Sequence, residues 1–362
     1  MKVPFVNLGL QYQIVRDQII NKFDEISKKG DYILGEELEN FEKDFANYCG
    51  TKFALGVGNG SDALTLSFRA IELARGNEVI IPGNSFIASA WSILNLGAKP
   101  VFVDVLEDFN IDPSLIEKAI TKNTKAIVPV HLTGRIANMN QINEIANNYN
   151  LYVIEDAAQS VGASMENKKA GSFGITGCFS LHPLKNLHVH GDGGVVTTND
   201  NNIFDFIKKL RNHGLKNRDT IEFLGYNSRL DSIQAAIARI KLAYVDKWNK
   251  RFIEIANMYS KELVDYIKVP KEEINKVSVY HRYIVQHPKR DKLKEHLKKN
   301  NIETKINYPI PLHLQPATTK LGYKIGDLPN VEKQSKLILS IPIYAELTND
   351  QIHHVINTVK SF

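Results

Sequence analysis

Residues 151–194, which read LYVIEDAAQSVGASMENKKAGSFGITGCFSLHPLKNLHVHGDGG, decide the fold. The apolar run 151–154 is typical of a buried parallel strand, so Asp156 falls where that strand ends. A second short strand, 178–181, is followed by a proline that stops it shortly before Lys185. Because α/β proteins bind ligands at the carboxyl ends of their strands, we expect Asp156 and Lys185 to face one crevice.

Strands and helices alternate on both sides of this stretch. An irregular arm of residues 1–12 comes first, and helical patterns at 14–28 and 35–48 follow it. Strand-like segments then lie at 53–57, 78–81, 100–105, 125–130, 151–154, 178–181 and 194–198. Since helical patterns separate most of these segments, the alternation predicts an α/β fold with a mostly parallel, seven-stranded sheet flanked by helices.

A long helical pattern at residues 231–251 ends the alternation. After it come helical patterns, a strand-like segment and a proline-containing segment, at 251–267, 278–286, 291–300, 305–317 and 349–361. We therefore predict a large domain of residues 1–245, which includes the N-terminal arm, and a smaller C-terminal α+β domain of residues 246–362. No Pro/Gly linker marks the boundary.

Composition excludes several classes of function. The chain has 362 residues, 43% of them hydrophobic, which is enough for a large core. Its 45 basic and 40 acidic residues are dispersed, so the net charge of +5 predicts neither nucleic-acid binding nor a membrane-binding patch. Two cysteines form no disulfide framework, and no signal-peptide pattern or apolar run of about 18 residues occurs. These features predict a cytoplasmic protein.

Two loops that follow strands have the character of ligand-binding segments. Residues 56–62, GVGNGSD, join a strand to a helix, where backbone N–H groups and the helix dipole would hold a phosphate. The segment lacks the third glycine of a dinucleotide fingerprint and the lysine of a Walker loop, so a tight structural turn is an equal alternative. After the next strand, the Phe86 ring would cover a planar cofactor or belong to the core.

Lys185 lies in a stretch with few other charges and many small residues, residues 170–196. An amine desolvated in such surroundings has a lowered pKa and can attack a carbonyl to form a Schiff base. Asp156 would then pair with a pyridine nitrogen, which is the partner that a pyridoxal phosphate ring needs. A buried ion pair between Lys185 and Asp156 is the alternative.

A series of motifs in fixed order carries a family resemblance: NGSDAL (59–64), SFIASA (85–90), VIEDAAQS (153–160), FSLHPLKN (179–186) with GDGG (191–194), and GYNSRLDSIQAA (225–236). Over essentially its whole length the chain resembles the sugar aminotransferases of the DegT/DnrJ/EryC1/StrS family. The resemblance implies a fold-type I transferase that uses pyridoxal 5′-phosphate.

The resemblance also implies roles for single residues around that cofactor. Lys185 would form the Schiff base, Asp156 would pair with the ring nitrogen, and Gln159 would lie near the phenolic oxygen. The remaining cofactor contacts are the phosphate ligands and a stacking ring: Gly60, Ser61, Ser180 and Phe86.

Family members form homodimers with shared active sites, which implies a further ligand from the neighbouring subunit. Asn227 in the GYNSR segment would reach the neighbour's cofactor phosphate. Arg229 becomes a candidate for the interface and for substrate binding.

The reaction implied is amino transfer. Relatives that remove a sugar hydroxyl commonly carry His at the position of Lys185, so Lys favours transamination. Glutamate would give its amino group to the cofactor, and a nucleotide-linked keto sugar would accept it. Lys185 would move the proton as general acid and base, while Asp156 keeps the pyridine nitrogen protonated.

The acceptor sugar is predicted from a second resemblance. Residues 307–315, NYPIPLHLQ, resemble family members that act on nucleotide-linked 3-keto-6-deoxyhexoses, so a dTDP-3-keto-6-deoxyhexose is the expected acceptor and a 4-keto sugar the alternative. Tyr308 and His313 would approach the sugar or its diphosphate. Alternatively, the two prolines simply stiffen a loop.

Histidines beside the lysine distinguish this chain. After KN its relatives more often have a Gly-Ala-Tyr-like segment, whereas this chain has histidines at 188 and 190. His188 and His182 are therefore candidates for substrate binding. The pattern formed by His188, His190 and Asp192 also suggests a metal-dependent hydrolase, with His182 or His213 as a further ligand.

A third reading is a regulator that retains an inactive transaminase fold. The intact set of Lys185, Asp156, Gln159 and Ser180 argues against it.

Overall fold

A computed structural model describes all 362 residues. The helices are α1 (Leu8–Lys29), α2 (Glu36–Cys49), α3 (Gly60–Ala70), α4 (Ala88–Asn95), α5 (Ile116–Ala119), α6 (Met139–Asn148), α7 (Asn201–Leu210), α8 (Ser232–Leu242), α9 (Val245–Leu263), α10 (Arg290–Lys299), α11 (Pro329–Leu337) and α12 (Asn349–Lys360). The strands are β1 (Phe53–Val57), β2 (Glu78–Pro82), β3 (Lys99–Val103), β4 (Thr124–Ile127), β5 (Tyr152–Asp156), β6 (Ser164–Met165), β7 (Lys168–Lys169), β8 (Thr176–Ser180), β9 (Gly194–Thr198), β10 (Leu215–Asn217), β11 (Thr220–Ile221), β12 (Lys276–Val277), β13 (Tyr283–Gln286) and β14 (Ile338–Ile341).

The central sheet has seven strands in the order β1-β9-β8-β5-β4-β2-β3. Only β9 runs against its neighbours, pairing antiparallel with β1 and β8, while the other adjacent pairs are parallel. The predicted α/β class with a mostly parallel, seven-stranded sheet is therefore confirmed. The carboxyl ends of β1, β2, β4, β5 and β8 meet at one edge, as parallel strands require.

Hydrophobic clusters cover both faces of this sheet. Along β2, Val79 and Ile81 belong to the cluster that includes α3, α4 and α7, whereas Ile80 belongs to the cluster that includes α2, α6 and α8. Successive strand residues point to opposite faces, so a strand covered on both sides has to be apolar throughout. This explains why the strands read as unbroken apolar runs.

A third cluster packs α9, α10 and α12 against β13 and β14. Val15 and Ile19 of α1 join it, so the N-terminal helix packs against the C-terminal part of the chain. Helix α9 begins at Val245. The division into domains of residues 1–245 and 246–362 stays a prediction.

Several predicted boundaries were wrong for identifiable reasons. Strand β4 ends at Ile127, three residues before the predicted end, because Pro129 has no N–H to continue the ladder. Helix α1 begins at Leu8, within the predicted arm. The prediction missed its first turns because they contain Gly9 and Gln11 and lack an apolar period.

The helical pattern 231–251 is divided between α8 and α9. The break lies at Ala243 and Tyr244, and neither is a residue that normally interrupts helices. Periodicity alone therefore did not reveal it.

Both cysteines are free and buried. No helix in the chain is long and apolar enough to cross a bilayer.

Candidate active site

A cavity of about 640 Å³ opens at the carboxyl edge of the sheet. Its walls include the residues that end β5 and β8, the first turn of α3, the segment that carries Lys185, and loop residues near 281 and 308. A cavity of this size is typical of small-molecule sites.

Asp156 is the last residue of β5, and its buried carboxylate is held by hydrogen bonds on both oxygens. Ser89 Oγ donates to Oδ2 over 2.7 Å, and the backbone N–H of Ala158 donates to Oδ1 over 3.2 Å. Ser89 is itself 2.8 Å from the hydroxyl of Ser85. The carboxylate therefore has a fixed orientation at the cavity wall.

Lys185 lines the same cavity, but its amine forms neither a hydrogen bond nor a salt bridge with Asp156. Burial disfavours the charged amine and lowers the pKa of Lys185 to about 8, although the charge of Asp156 opposes this shift. The alternative of a direct Lys–Asp ion pair is therefore not what the structure shows. An amine with this pKa is partly neutral near pH 7 and can act as a nucleophile.

The first turn of α3 provides hydrogen-bond donors at the cavity. Asn59 caps this helix by accepting from the backbone N–H of Asp62 over 2.8 Å. The N–H groups of Gly60 and Ser61 lie in the first turn, where a helix leaves donors without internal partners. A Cβ added at Gly60 would lie 2.8 Å from the Ser180 Cβ. Gly60 therefore packs directly against Ser180 with no room for a side chain, and the unpaired N–H groups of this turn are the groups that could bind an anion.

Aromatic and amide groups form the rest of the wall. The Phe86 and Tyr308 rings lie 6.1 Å apart between centroids, and Phe86 is 55% exposed. Gln159 Oε1 accepts from the backbone N–H of Thr133 over 2.8 Å, so its amide nitrogen is the group left to donate. Burial raises the pKa of Tyr308 to about 12, so it remains a neutral phenol.

His182 also lines the cavity, beside Lys185. Burial and then the charge of Lys185 lower the pKa of His182. At neutral pH it is therefore an uncharged imidazole. Its Nδ1 accepts from the backbone N–H of Leu184 over 3.2 Å, which leaves Nε2 for a ligand.

The structure does not bring His313 to the cavity. It is buried, and its Nε2 lies 3.0 Å from the carboxylate of Glu332 in α11. The expectation that His313 contacts the sugar therefore needs correction, because its imidazole is buried against Glu332 and does not line the cavity.

His188 lies behind the lysine segment, outside the main cavity. Its Nδ1 donates to the backbone carbonyl of Lys185 over 2.9 Å. Burial lowers its pKa to about 3, so the imidazole is neutral. The predicted contact between His188 and substrate is corrected to a contact with the backbone of Lys185.

Asn227 and Arg229 also lie away from the cavity. Arg229 Nη1 donates to Asn212 Oδ1 over 2.9 Å, and Asn227 is exposed. Nearby, Leu224 is 88% exposed. The predicted contact of Asn227 with a neighbouring subunit stays a prediction.

The metal-site alternative lacks the necessary geometry. His188 is directed at the Lys185 carbonyl, and no group of three or more His, Cys, Asp or Glu side chains in the chain is arranged to hold a metal ion. His131, at the same sheet edge, lies 2.9 Å from Glu155, whose carboxylate also accepts from the backbone N–H groups of Gly171, Phe173 and Gly174. Glu155 therefore holds the glycine-rich loop, whereas Asp156 faces the cavity.

Two basic residues, His281 and Arg282, are among the cavity-lining residues that were missed from the sequence. His281 and Arg282 lie just before β13, in a segment predicted to be strand. The signal available was the pair of polar side chains at the start of an apolar run.

The model of the DegT/DnrJ/EryC1/StrS aminotransferase family matches residues 13–360. The chain belongs to this family. A relative from Geobacillus stearothermophilus, named pleiotropic regulatory protein, is 42% identical over 367 residues. The match covers all of this chain and 99% of the relative. The dTDP-3-amino-3,6-dideoxy-alpha-D-galactopyranose transaminase of Aneurinibacillus thermoaerophilus is 41% identical, with 99% of each chain covered.

A solved structure with the same fold is that of S. venezuelae DesV in complex with a ketimine intermediate. It superposes with a TM-score of 0.97 at 39% identity, covering 99% of this chain and 98% of DesV. The predicted family, fold and aminotransferase activity are thus confirmed.

Aminotransferases of this family depend on pyridoxal 5′-phosphate, so the predicted cofactor is also confirmed. The cavity fits it, because it combines an unpaired amine, a fixed carboxylate and unpaired N–H donors in the first turn of α3. When bound, this cofactor supplies an electron sink and carries the amino group.

Proposed function

We propose that the protein transfers an amino group from glutamate to a nucleotide-linked keto sugar in amino-sugar biosynthesis, with a dTDP-3-keto-6-deoxyhexose as the preferred acceptor. The observation that carries this proposal is the free, desolvated amine of Lys185 in one cavity with the fixed carboxylate of Asp156. The name of the Aneurinibacillus relative supports the choice of a dTDP-linked sugar.

In this proposal Lys185 binds the cofactor and moves the proton at the carbon that carries the amino group. Its pKa of about 8 suits both directions of transfer near neutral pH. Asp156 holds the proton on the ring nitrogen, and Gln159 donates to the phenolic oxygen. The remaining cofactor ligands are Gly60, Ser61, Ser180 and Phe86, and Tyr308 and His182 line the space left for substrate.

We further propose that two copies share their active sites, with Asn227 reaching the neighbouring cofactor phosphate. Support comes from the exposed apolar side chains around it, which include Ile221 at 61% and Leu224 at 88% exposure. The cytoplasm remains our proposed location, because both cysteines are free.

The regulatory role named for the Geobacillus relative is a second candidate. Under that candidate the purified protein would bind cofactor without converting keto sugars. The retained Lys185 amine and the fixed carboxylate of Asp156 favour turnover instead.

The test is a screen of nucleotide-linked 3-keto and 4-keto sugars with glutamate, followed by analysis of the products. We expect a 3-amino sugar and 2-oxoglutarate in equal amounts. Formation of 4-amino sugars alone would overturn the regiochemistry, and no amino sugar from any acceptor would favour the regulatory candidate.

A further inference from the structure

Arg282 is a cavity-lining cation that no carboxylate of the chain neutralises. It lies in the wall between the main cavity and a smaller one behind Lys185. Its Nη1 donates to the carbonyl of His281 over 3.0 Å, and its guanidinium lies 5.1 Å from the centroid of the Phe5 ring. Burial lowers the pKa of Arg282 only to about 10, so the guanidinium is charged at neutral pH. It nevertheless forms no salt bridge.

A partly buried guanidinium without a counterion is unfavourable in an enzyme that binds nothing at that point. A bound anion would pair with it, and the planar fork of donors suits a carboxylate or a phosphate. Apart from the cofactor phosphate, which we place at the start of α3, the proposed reaction brings two kinds of anionic group to the cavity: the carboxylates of the amino donor and the diphosphate of the sugar nucleotide.

The position of Arg282 distinguishes these two sources. Arg282 and Lys185 line both the main cavity and the smaller one, so Arg282 lies close to where bonds are made and broken. In an α-amino acid the carboxylate is attached directly to the carbon that bears the amino group. In a 3-keto sugar nucleotide two ring carbons and an ester oxygen separate the reacting carbon from the nearest phosphorus. A cation beside Lys185 therefore suits the α-carboxylate.

We propose that Arg282 binds the α-carboxylate of the amino donor and makes the enzyme select α-amino acids over simple amines. The contacts with the His281 carbonyl and the Phe5 ring hold the guanidinium in place for this role. The inference rests on the proposed amino transfer, and it adds the residue that recognises the donor.

The test compares the holoenzymes of R282Q, R282K and the control R75Q, which removes an exposed arginine outside the cavity. α-Methyl-L-glutamate has no proton on its α-carbon, so its binding is read from the visible absorbance of the lysine-bound cofactor without turnover. The expected result for R282Q is a dissociation constant raised about 10- to 100-fold, as for the loss of hydrogen bonds to a charged group. R75Q should match the wild type.

Two further measurements separate recognition from general damage. The KM for the keto sugar, measured with the amine form of the cofactor, should stay within about twofold in R282Q. 4-Aminobutyrate has no carboxylate beside its amino group. The ratio of kcat/KM for L-glutamate to kcat/KM for 4-aminobutyrate should therefore fall about 10- to 100-fold in R282Q, as much as the binding of the analogue does.

Unchanged binding of α-methyl-L-glutamate to R282Q would overturn the inference. Weaker binding of the keto sugar together with unchanged binding of the glutamate analogue would also overturn it, because Arg282 would then bind the diphosphate. If R282Q does not fold, R282K provides the test. It keeps the positive charge but loses the paired guanidinium donors, so it should still weaken binding of α-methyl-L-glutamate. A wild type that transfers no amino group from any donor contradicts the proposed function itself, whereas normal transfer by R282Q contradicts only this inference.

Discussion

Ser89 Oγ lies 2.7 Å from Asp156 Oδ2, so a helix that follows β2 fixes the carboxylate that ends β5. Both residues are buried. A hydrogen bond to a buried charged group contributes about 1.5–3 kcal/mol, and losing the donor leaves the carboxylate underpaired.

Ser89→Ala should therefore lower the free energy of unfolding by about 1.5–3 kcal/mol and weaken cofactor binding. The matched control is Ser114→Ala, which removes a 2.7 Å bond to Asp112 on the exposed surface and should change stability by less than about 1 kcal/mol. Chemical denaturation and cofactor titration measure both effects. Equal effects of the two substitutions would show that the buried bond has no special part in holding Asp156.

Gly60→Ala should impair cofactor binding, because the added Cβ would lie 2.8 Å from the Ser180 Cβ. This clash would displace the first turn of α3, whose N–H groups we propose hold the phosphate. Gly9→Ala in α1 is the control, since its Cβ meets only an ordinary contact of 3.6 Å and should stabilise the helix by about 1 kcal/mol. Equilibrium dialysis with the cofactor measures binding. Unchanged affinity in Gly60→Ala would place the phosphate elsewhere.

The rate at which the cofactor attaches to the cofactor-free protein should rise with pH through a midpoint near 8. Only the neutral amine of Lys185 is nucleophilic, and burial lowers its pKa to about 8. Since the charge of Arg282 lowers this pKa further, R282Q should move the midpoint to higher pH. Stopped-flow absorbance measures the rate. A midpoint near the ordinary lysine value in the wild type would contradict a desolvated amine.

The same shift predicts how stability depends on pH in the cofactor-free protein. Between pH 8 and the ordinary lysine pKa of 10.5, the unfolded state binds more protons at Lys185 than the folded state does. The free energy of unfolding therefore gains a contribution from this residue as pH rises through that window. Lys185→Met should remove this contribution, and denaturation of both proteins at pH 8 and pH 10 provides the comparison.

His188→Ala should lower kcat more than it raises the KM of the keto sugar. His188 holds the backbone carbonyl of Lys185 and does not line the main cavity, so its loss displaces the lysine rather than a substrate contact. His190→Ala, which removes a partly exposed neighbour, is the control and should have a smaller effect. A raised KM with unchanged kcat would restore the original expectation that His188 binds substrate.

Local sequence patterns were sufficient to predict much of the fold and the positions of Asp156 and Lys185 in the site. Strand β5 ends at Asp156, and a proline separates β8 from Lys185, so both positions follow from neighbouring residues in sequence. Strands β1 and β9 match their predicted bounds because apolar runs and flanking polar residues define them.

Long-range contacts decided what the sequence left out. Arg282 and His281 reach the cavity because the C-terminal part of the chain packs beside the sheet, which no local pattern shows. His313 pairs with Glu332, 19 positions later, and His188 folds back onto the carbonyl of Lys185. Side-chain direction at these positions depends on partners that only the folded chain brings near.

The most direct test of the central claim is to find which amine carries the cofactor. Borohydride reduction of the holoenzyme fixes a Schiff base as a stable amine, and peptide mass spectrometry then identifies the modified lysine. Lys241 is a useful comparison. Burial lowers its pKa as well, to about 7, but the residue lies outside the main cavity. We predict the added mass on the peptide that contains Lys185 and its loss in Lys185→Ala. Modification of Lys241 or of any other lysine, or none at all in a protein that transfers amino groups, would contradict the assignment.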